Sequence, residues 1–282
     1  MKQLIFTLLF CPALALAQPS TEIYLFDLNT DSEGAMQLSN PINVSNNPGY
    51  DNQPSFWPDN QSILYTRTIN GQTEIVRYYI QSDKTEVISK TLQGSEYSPT
   101  PMPDGRISSI RLDTTGLQLL YAYNLDGENE VLVPKIKIGY HAWLSESDIV
   151  AFVLGNPPTL QIIDTNTKQS LVVGDSIGRS LHRIPDSESF SYLDKTKTPW
   201  TINAMNPKTG EIKILLKALN GSEDYCWTPS GEIIMGSGSK LYRSFNLTEW
   251  FLLNDISTID LDGITRLAVS PDGKKLAVVV NQ

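Results

Sequence analysis

The chain has 282 residues, 40 % of them hydrophobic, and carries 22 basic against 31 acidic side chains, a formal net charge of −9. The acid excess argues against nucleic acid or an anionic lipid surface as a partner. The length and apolar content suffice for a sizeable core.

The chain opens with Lys2, an apolar run over residues 4–16 and the small-residue pattern Ala15-Leu16-Ala17. That pattern predicts a secretory signal peptide over residues 1–17, cut before Gln18. The run is too short for a membrane-spanning helix, so no membrane insertion is expected. Cys11 follows Phe10 inside the run instead of standing at a cleavage point, which argues against lipidation. Loss of the signal removes Lys2 and Cys11, leaving 21 basic against 31 acidic groups and Cys226 as the single cysteine. The expected product, residues 18–282, is a periplasmic or secreted single domain and a monomer, without an intramolecular disulfide and held by its core.

The first predicted strands, residues 22–27 and 37–44, flank a turn at residues 29–34. Beyond them one turn recurs six times: Pro58-Asp59-Asn60, Pro103-Asp104-Gly105, Ser145-Glu146-Ser147, Pro185-Asp186-Ser187, Pro229-Ser230-Gly231 and Pro271-Asp272-Gly273. Their first residues lie 45, 42, 40, 44 and 42 positions apart. Pro presets φ for a turn's first corner, Asp bonds its own backbone and Gly accepts a positive φ, so each motif reads as a hairpin turn. A short run such as Ser55-Phe56-Trp57 or Tyr225-Cys226-Trp227 precedes the turn, and an alternating β-branched run such as residues 148–153 or 275–280 follows it. A second turn stands further along each unit, as at Asn124-Leu125-Asp126-Gly127 and Asn206-Pro207-Lys208-Thr209-Gly210, again between strands.

Four short strands in each unit of about 43 residues is the pattern of a propeller blade. The sixth unit holds only two strands before Gln282, and the missing pair stands at the N-terminal end. An all-β, six-bladed β-propeller is predicted, closed by N-terminal strands pairing with C-terminal strands in one blade, which removes exposed edges. A β-sandwich is the competing all-β fold, and it leaves the period unexplained.

With its repeats ending in Trp57-Pro58-Asp59, Met102-Pro103-Asp104-Gly105 and Ser270-Pro271-Asp272-Gly273, the chain resembles the TolB-like β-propellers, a WD40-like repeat family. The resemblance covers essentially the whole predicted mature chain. It implies an exported propeller that offers loops at one face to a protein partner of the cell envelope; TolB itself works with a peptidoglycan-associated lipoprotein. TolB carries an α/β domain ahead of its propeller, and the related oligopeptidases carry a hydrolase domain. Here only a few residues separate Ala17 from the first strand.

Chemistry-bearing motifs are few. Gly174-Asp175-Ser176-Ile177-Gly178 matches the G-x-S-x-G nucleophile elbow, but the elbow needs a following helix, and the strand-like residues 179–185 come next. An inter-blade loop is expected there. His141, His182 and Cys226 are too few and too scattered to predict a zinc site. Asp27-x-Asn29-x-Asp31 begins like a calcium loop, yet Ser32 and Leu38 stand where its Gly and closing Glu belong. No cofactor is expected. Trp57, Trp143 and Trp227 recur just before the anchor turns, a position that answers to blade packing.

The residues leading into each innermost strand should surround one mouth of the central channel. Counting back from the anchor turns gives Asp51, Asn52, Glu96, Tyr97, Tyr140, His141, Arg179, Glu223, Asp224, Tyr225 and Arg266. Tyr and Arg concentrate in binding hot spots, so this set points to a non-enzymatic protein or peptide binder. The alternative is an enzyme or carbohydrate-binding protein that uses Asp51, Glu96, Glu223 and Asp224 at the channel mouth, which requires carboxylates a few ångströms apart.

Overall fold

The computed structural model describes residues 19–282. The predicted signal peptide lies outside the described residues. Two strands come first, β1 (Thr21–Thr30) and β2 (Met36–Asn43), and five four-stranded blades follow in chain order. Blade 1 holds β3 (Asn52–Phe56), β4 (Ser62–Ile69), β5 (Gln72–Tyr79) and β6 (Lys84–Val87); blade 2 holds β7 (Ser95–Pro101), β8 (Ile107–Leu112), β9 (Gln118–Tyr123) and β10 (Asn129–Val133). Blade 3 is β11 (Ile138–Trp143), β12 (Asp148–Val153), β13 (Thr159–Asp164) and β14 (Ser170–Asp175), and blade 4 is β15 (Ile177–Arg183), β16 (Phe190–Asp194), β17 (Thr201–Met205) and β18 (Ile212–Lys217). Blade 5 contains β19 (Tyr225–Trp227), β20 (Ile233–Ser237), β21 (Lys240–Ser244) and β22 (Phe251–Asp255). A 3-10 turn at Ile256–Ile259 is the single helical segment among the described residues.

Blade 6 closes the ring as predicted. Its strand order is β2-β1-β24-β23, with β23 (Asp262–Val269) and β24 (Lys275–Asn281) from the C-terminal end. β1 pairs antiparallel with β24 from Thr21↔Asn281 to Asp27↔Lys275. The Asp27 carboxylate accepts a bond from the Lys275 ammonium at one end, and the Gln282 amide donates to Glu22 at the other. The anchor turns form as their chemistry dictates: the Gly273 N–H donates to the Ser270 carbonyl at 2.9 Å with Gly273 at φ +72°, and Asn60 takes the same left-handed role at φ +61°.

Apolar alternation builds the core. Successive strand residues point to opposite faces, and each blade is covered on both faces by its neighbours. On β24, Leu276, Val278 and Val280 pack with Cys226, Ile234 and Leu241 of blade 5. The intervening Ala277 and Val279 pack with Phe56, Ile63 and Tyr65 of blade 1. Each of the other four blade junctions has an apolar cluster of its own. The three tryptophans sit in these junctions: Trp57 between blades 1 and 2, Trp143 between 2 and 3, Trp227 between 4 and 5. Trp143 and Trp227 also donate to serine hydroxyls of the preceding blade, Ser108 at 2.9 Å and Ser191 at 2.8 Å.

Ser176 occupies the predicted inter-blade loop between β14 and β15. Its hydroxyl donates to the neighbouring Asp175 carboxylate at 2.8 Å, and a strand follows it instead of a helix. Among the described residues no helix is long and apolar enough to cross a membrane.

Candidate functional site

The innermost strands β3, β7, β11, β15, β19 and β23 enclose a central cavity of about 590 Å³. Five of these six strands break register with their neighbours close to the point where they begin: at 52/55, 97/100, 138/140, 177/181 and 262/266. A register break re-aims the side chains beside it, and here it lies among the residues that the repeat places around the mouth. In blades 1 and 2 the break coincides with left-handed Gln53 (φ 58°) and Ser98 (φ 52°), each followed by proline. The Gln53 side-chain oxygen accepts the Ser98 N–H at 2.8 Å, tying the two breaks together.

At the mouth, four blades converge. Arg179 of blade 4 donates to both carboxylate oxygens of Asp224 in blade 5, from Nε at 3.0 Å and from Nη2 at 2.5 Å. Arg266 of blade 6 donates from Nη1 to the same Asp224 Oδ1 at 2.7 Å and from Nη2 to the Tyr140 hydroxyl of blade 3 at 3.3 Å. Both guanidinium groups also reach the Thr265 carbonyl, at 3.4 and 2.8 Å. The Arg266 guanidinium lies 5.4 Å from the Tyr140 ring centre, and Phe152 meets that ring edge-on at 5.7 Å. Burial opposes the charge on Arg179, and the paired Asp224 more than offsets it, so the guanidinium is held firmly protonated.

Tyr97 is not among the residues that line the cavity; it packs against the apolar cluster between blades 2 and 3, and Tyr50 meets its ring edge-on at 6.3 Å. Burial pushes the Tyr50 hydroxyl up to about 12, with Arg266 and Arg179 pulling the other way, so it stays neutral at pH 7. Glu223 faces a second, polar cavity of about 320 Å³, which shares Arg179 and Asp224 with the mouth. Lys195 holds Glu223 at 2.5 Å while lying 4.1 Å from the centre of the Trp200 ring.

His141 and Tyr225 belong to the channel wall below the mouth, and both are buried. His141 Nε2 is 2.7 Å from the Ser108 hydroxyl, and the Tyr225 hydroxyl donates to Ser191 at 2.9 Å. His182, against the Tyr225 ring at 4.9 Å, completes this layer. Burial drops both imidazoles to about 4, leaving them neutral at pH 7.

Asp51, Asn52 and Glu96 lie inside the blades, away from the cavity lining. Asp51 and Glu96 are each 0 % exposed and occupy equivalent places in blades 1 and 2, opposite Arg67 at 3.4 Å and Arg111 at 3.8 Å. The Tyr123 hydroxyl donates to Glu96 at 3.0 Å, and the Asn52 amide to Thr21 at 3.1 Å. The four acids of the enzyme reading are thus divided between two separate buried ion pairs and the mouth. Among the described residues, no three His, Cys, Asp or Glu side chains are grouped to hold a metal ion. Sequence counting missed Tyr50, one position upstream of the chosen window and within the field of Arg266 and Arg179, and Lys195, which follows β16 and holds Glu223. Only the aromatic character of Tyr50 beside the window was available as a signal.

No protein-family model and no curated protein matches the sequence. Among solved structures, a protein from Agrobacterium tumefaciens provisionally identified as TolB superposes with a TM-score of 0.72 at 12 % identity, covering 94 % of this chain and 99 % of that one. TolB from Acinetobacter baumannii gives 0.57 at 13 % identity over 94 % of this chain and 64 % of that one. A gluconolactonase from Xanthomonas campestris gives 0.65 at 10 % identity over 95 % of this chain and 99 % of that one. At these identities the likeness establishes the fold, a six-bladed propeller of the kind seen in TolB proteins, which also serves in enzymes.

Proposed function

We propose that the chain is an exported, non-enzymatic propeller of the cell envelope that binds a protein or peptide partner at this mouth, as a monomer and without a cofactor. The observation that carries the reading is the convergence of Tyr140, Arg179, Asp224 and Arg266 from four different blades onto the rim of the 590 Å³ cavity. Arginine and tyrosine at the centre of a concave, half-buried surface are the side chains that dominate binding energy at protein interfaces. The TolB-like fold of the neighbours supports a partner in the envelope, and the signal-like residues 1–17 support export.

The alternative, an enzyme or a carbohydrate-binding protein, draws on paired carboxylates. Asp224 is shared by two arginines, Glu223 is held by Lys195, and Asp51 and Glu96 are buried elsewhere. A binding role therefore accounts for more of the rim than acid-base chemistry does.

Capture from an envelope extract tests the reading. The wild-type chain is expected to retain a partner, the Tyr140/Arg179/Arg266 triple alanine to lose it, and Asp104→Ala on the opposite face to keep it. A partner bound equally by all three chains would sink the proposal.

A further inference from the structure

We propose that the chemical group recognised at the mouth is a carboxylate carried by a peptide, seated between Arg179 and Arg266. This inference rests on the partner-binding reading above and names the chemistry of that partner. Charge is the first observation. Two guanidinium groups share the single carboxylate of Asp224, and Glu223, the other acid that acts on Arg179, is neutralised by Lys195. The rim therefore holds one surplus positive charge in a chain whose net charge is −9. At physiological salt, charges more than about 8 Å away are largely screened, so the local surplus outweighs the distant acids.

Hydrogen-bond capacity is the second observation. A guanidinium carries five N–H donors in a fixed fork. Arg179 uses three of them, two on Asp224 and one on the Thr265 carbonyl. Arg266 also uses three, on Asp224, Thr265 and Tyr140. Two donors remain on each side chain, and both residues line the central cavity. On Arg266 the free donors are on the adjacent nitrogens Nε and Nη2, an edge of the kind that matches the two oxygens of a carboxylate, and the free Nη1 of Arg179 offers a further donor from the other side.

The charge count also selects among anions. A carboxylate brings one negative charge and cancels the surplus, whereas a phosphate monoester brings about −1.5 to −2 and overshoots it. Below the rim the cavity wall is largely apolar, with Pro99, Leu181 and Trp227 among its residues. Such a wall suits the side chains of a peptide behind its carboxylate, and the cavity volume of about 590 Å³ falls within the range of small-ligand sites.

The test uses the full exported chain and three pools of random hexapeptides: one with a free C-terminus and no acidic side chain, one amidated and containing a single Asp or Glu, and one amidated without acids. Affinity is read by fluorescence anisotropy. At least one carboxylate-bearing pool should bind ten times or more tighter than the neutral pool, and which one does so identifies a chain end or a side chain as the source. Arg266→Gln should abolish the preference. Arg266→Lys, which keeps the charge beside Asp224 but not the fork, should reduce it several-fold. Equal binding of all pools, no binding by any, or a preference that survives both variants overturns the carboxylate assignment. If extract capture still depends on the mouth in that event, the partner-binding reading stands alone; if capture fails as well, both fall.

Discussion

Arg179 grips Asp224 across the junction of blades 4 and 5 through two N–H···O bonds, at 3.0 and 2.5 Å, and the same carboxylate takes a third bond from Arg266. Asp224 thus keeps two like charges, from the blades on either side of its own, together at the rim. Removing one partner of a largely buried ion pair leaves the other charge uncompensated, which costs more than the pair contributes. Asp224→Asn should therefore destabilise the ring by about 1–3 kcal/mol, the lower part of the range reflecting the solvent at the rim. Urea unfolding at low and high salt checks this, and the deficit should shrink as salt screens the two arginines. An unchanged midpoint would show that Asp224 has no such role.

Closure of the ring by β24 predicts a severe truncation effect. Deleting residues 276–282 removes Leu276, Ala277, Val278, Val279 and Val280, each at most 1 % exposed, and takes from β1 its partner strand on one side while cutting β23 off from the blade. Each large apolar side chain contributes roughly 1.5–3 kcal/mol on burial, so the loss rivals a whole domain's net stability of about 5–15 kcal/mol. The truncated chain should show no cooperative thermal transition. A sharp transition close to that of the full chain would contradict closure.

Blade packing at Gly236 is equally specific. A Cβ there would meet Ile264 Cγ2 at 2.4 Å and Ile264 Cβ at 3.0 Å, across the junction of blades 5 and 6. Gly236→Ala should cost about 1–3 kcal/mol by overpacking, and Ile264→Ala in the same chain should restore part of it. Thermal melts of the three variants provide the comparison.

Asp51 carries the pH prediction. Burial pushes its carboxyl up to about 7 against the pull of Arg67, while in the unfolded chain it titrates near 3.9. Burial likewise raises Glu96, helped by Glu74. The folded state then holds protons that the unfolded state has released. The stability contributed by these protonated groups is fully present below about pH 4 and is lost as pH rises towards about 7. Relative to the Asp51→Asn/Glu96→Gln variant, the wild type should lose stability between pH 4.5 and pH 8 in urea unfolding. A difference that is flat or grows with pH would contradict this.

The ring was legible because its causes are local and repeated. Pro58, Pro103, Pro185, Pro229 and Pro271 mark the phase of the blades, and alternation along runs such as 275–280 tells which side chains face which neighbour. The mouth was legible only in part. Counting back from the turns found Tyr140, Arg179, Asp224 and Arg266, all of which line the cavity. The same counting placed Asp51 and Glu96 at the rim, and both lie within the blades. The difference arises in the register breaks: one left-handed residue, Gln53 or Ser98, shifts which neighbour points to the channel, and no composition signal marks that shift. Lys195 and Tyr50 come from outside the counted windows: Lys195 follows β16 of blade 4 and reaches Glu223 ahead of blade 5, and Tyr50 meets Tyr97 of blade 2.

Site-specific photocrosslinking locates the partner most directly. A benzoylphenylalanine replaces Ser222, beside the shared polar cavity at the mouth, or Asp104, in the exposed anchor turn at the opposite end of the channel. With the partner retained from envelope extract, position 222 should yield a crosslinked product that Arg266→Gln abolishes, and position 104 should yield none. Crosslinking from position 104 alone, or a product at 222 indifferent to Arg266→Gln, would contradict binding at the mouth.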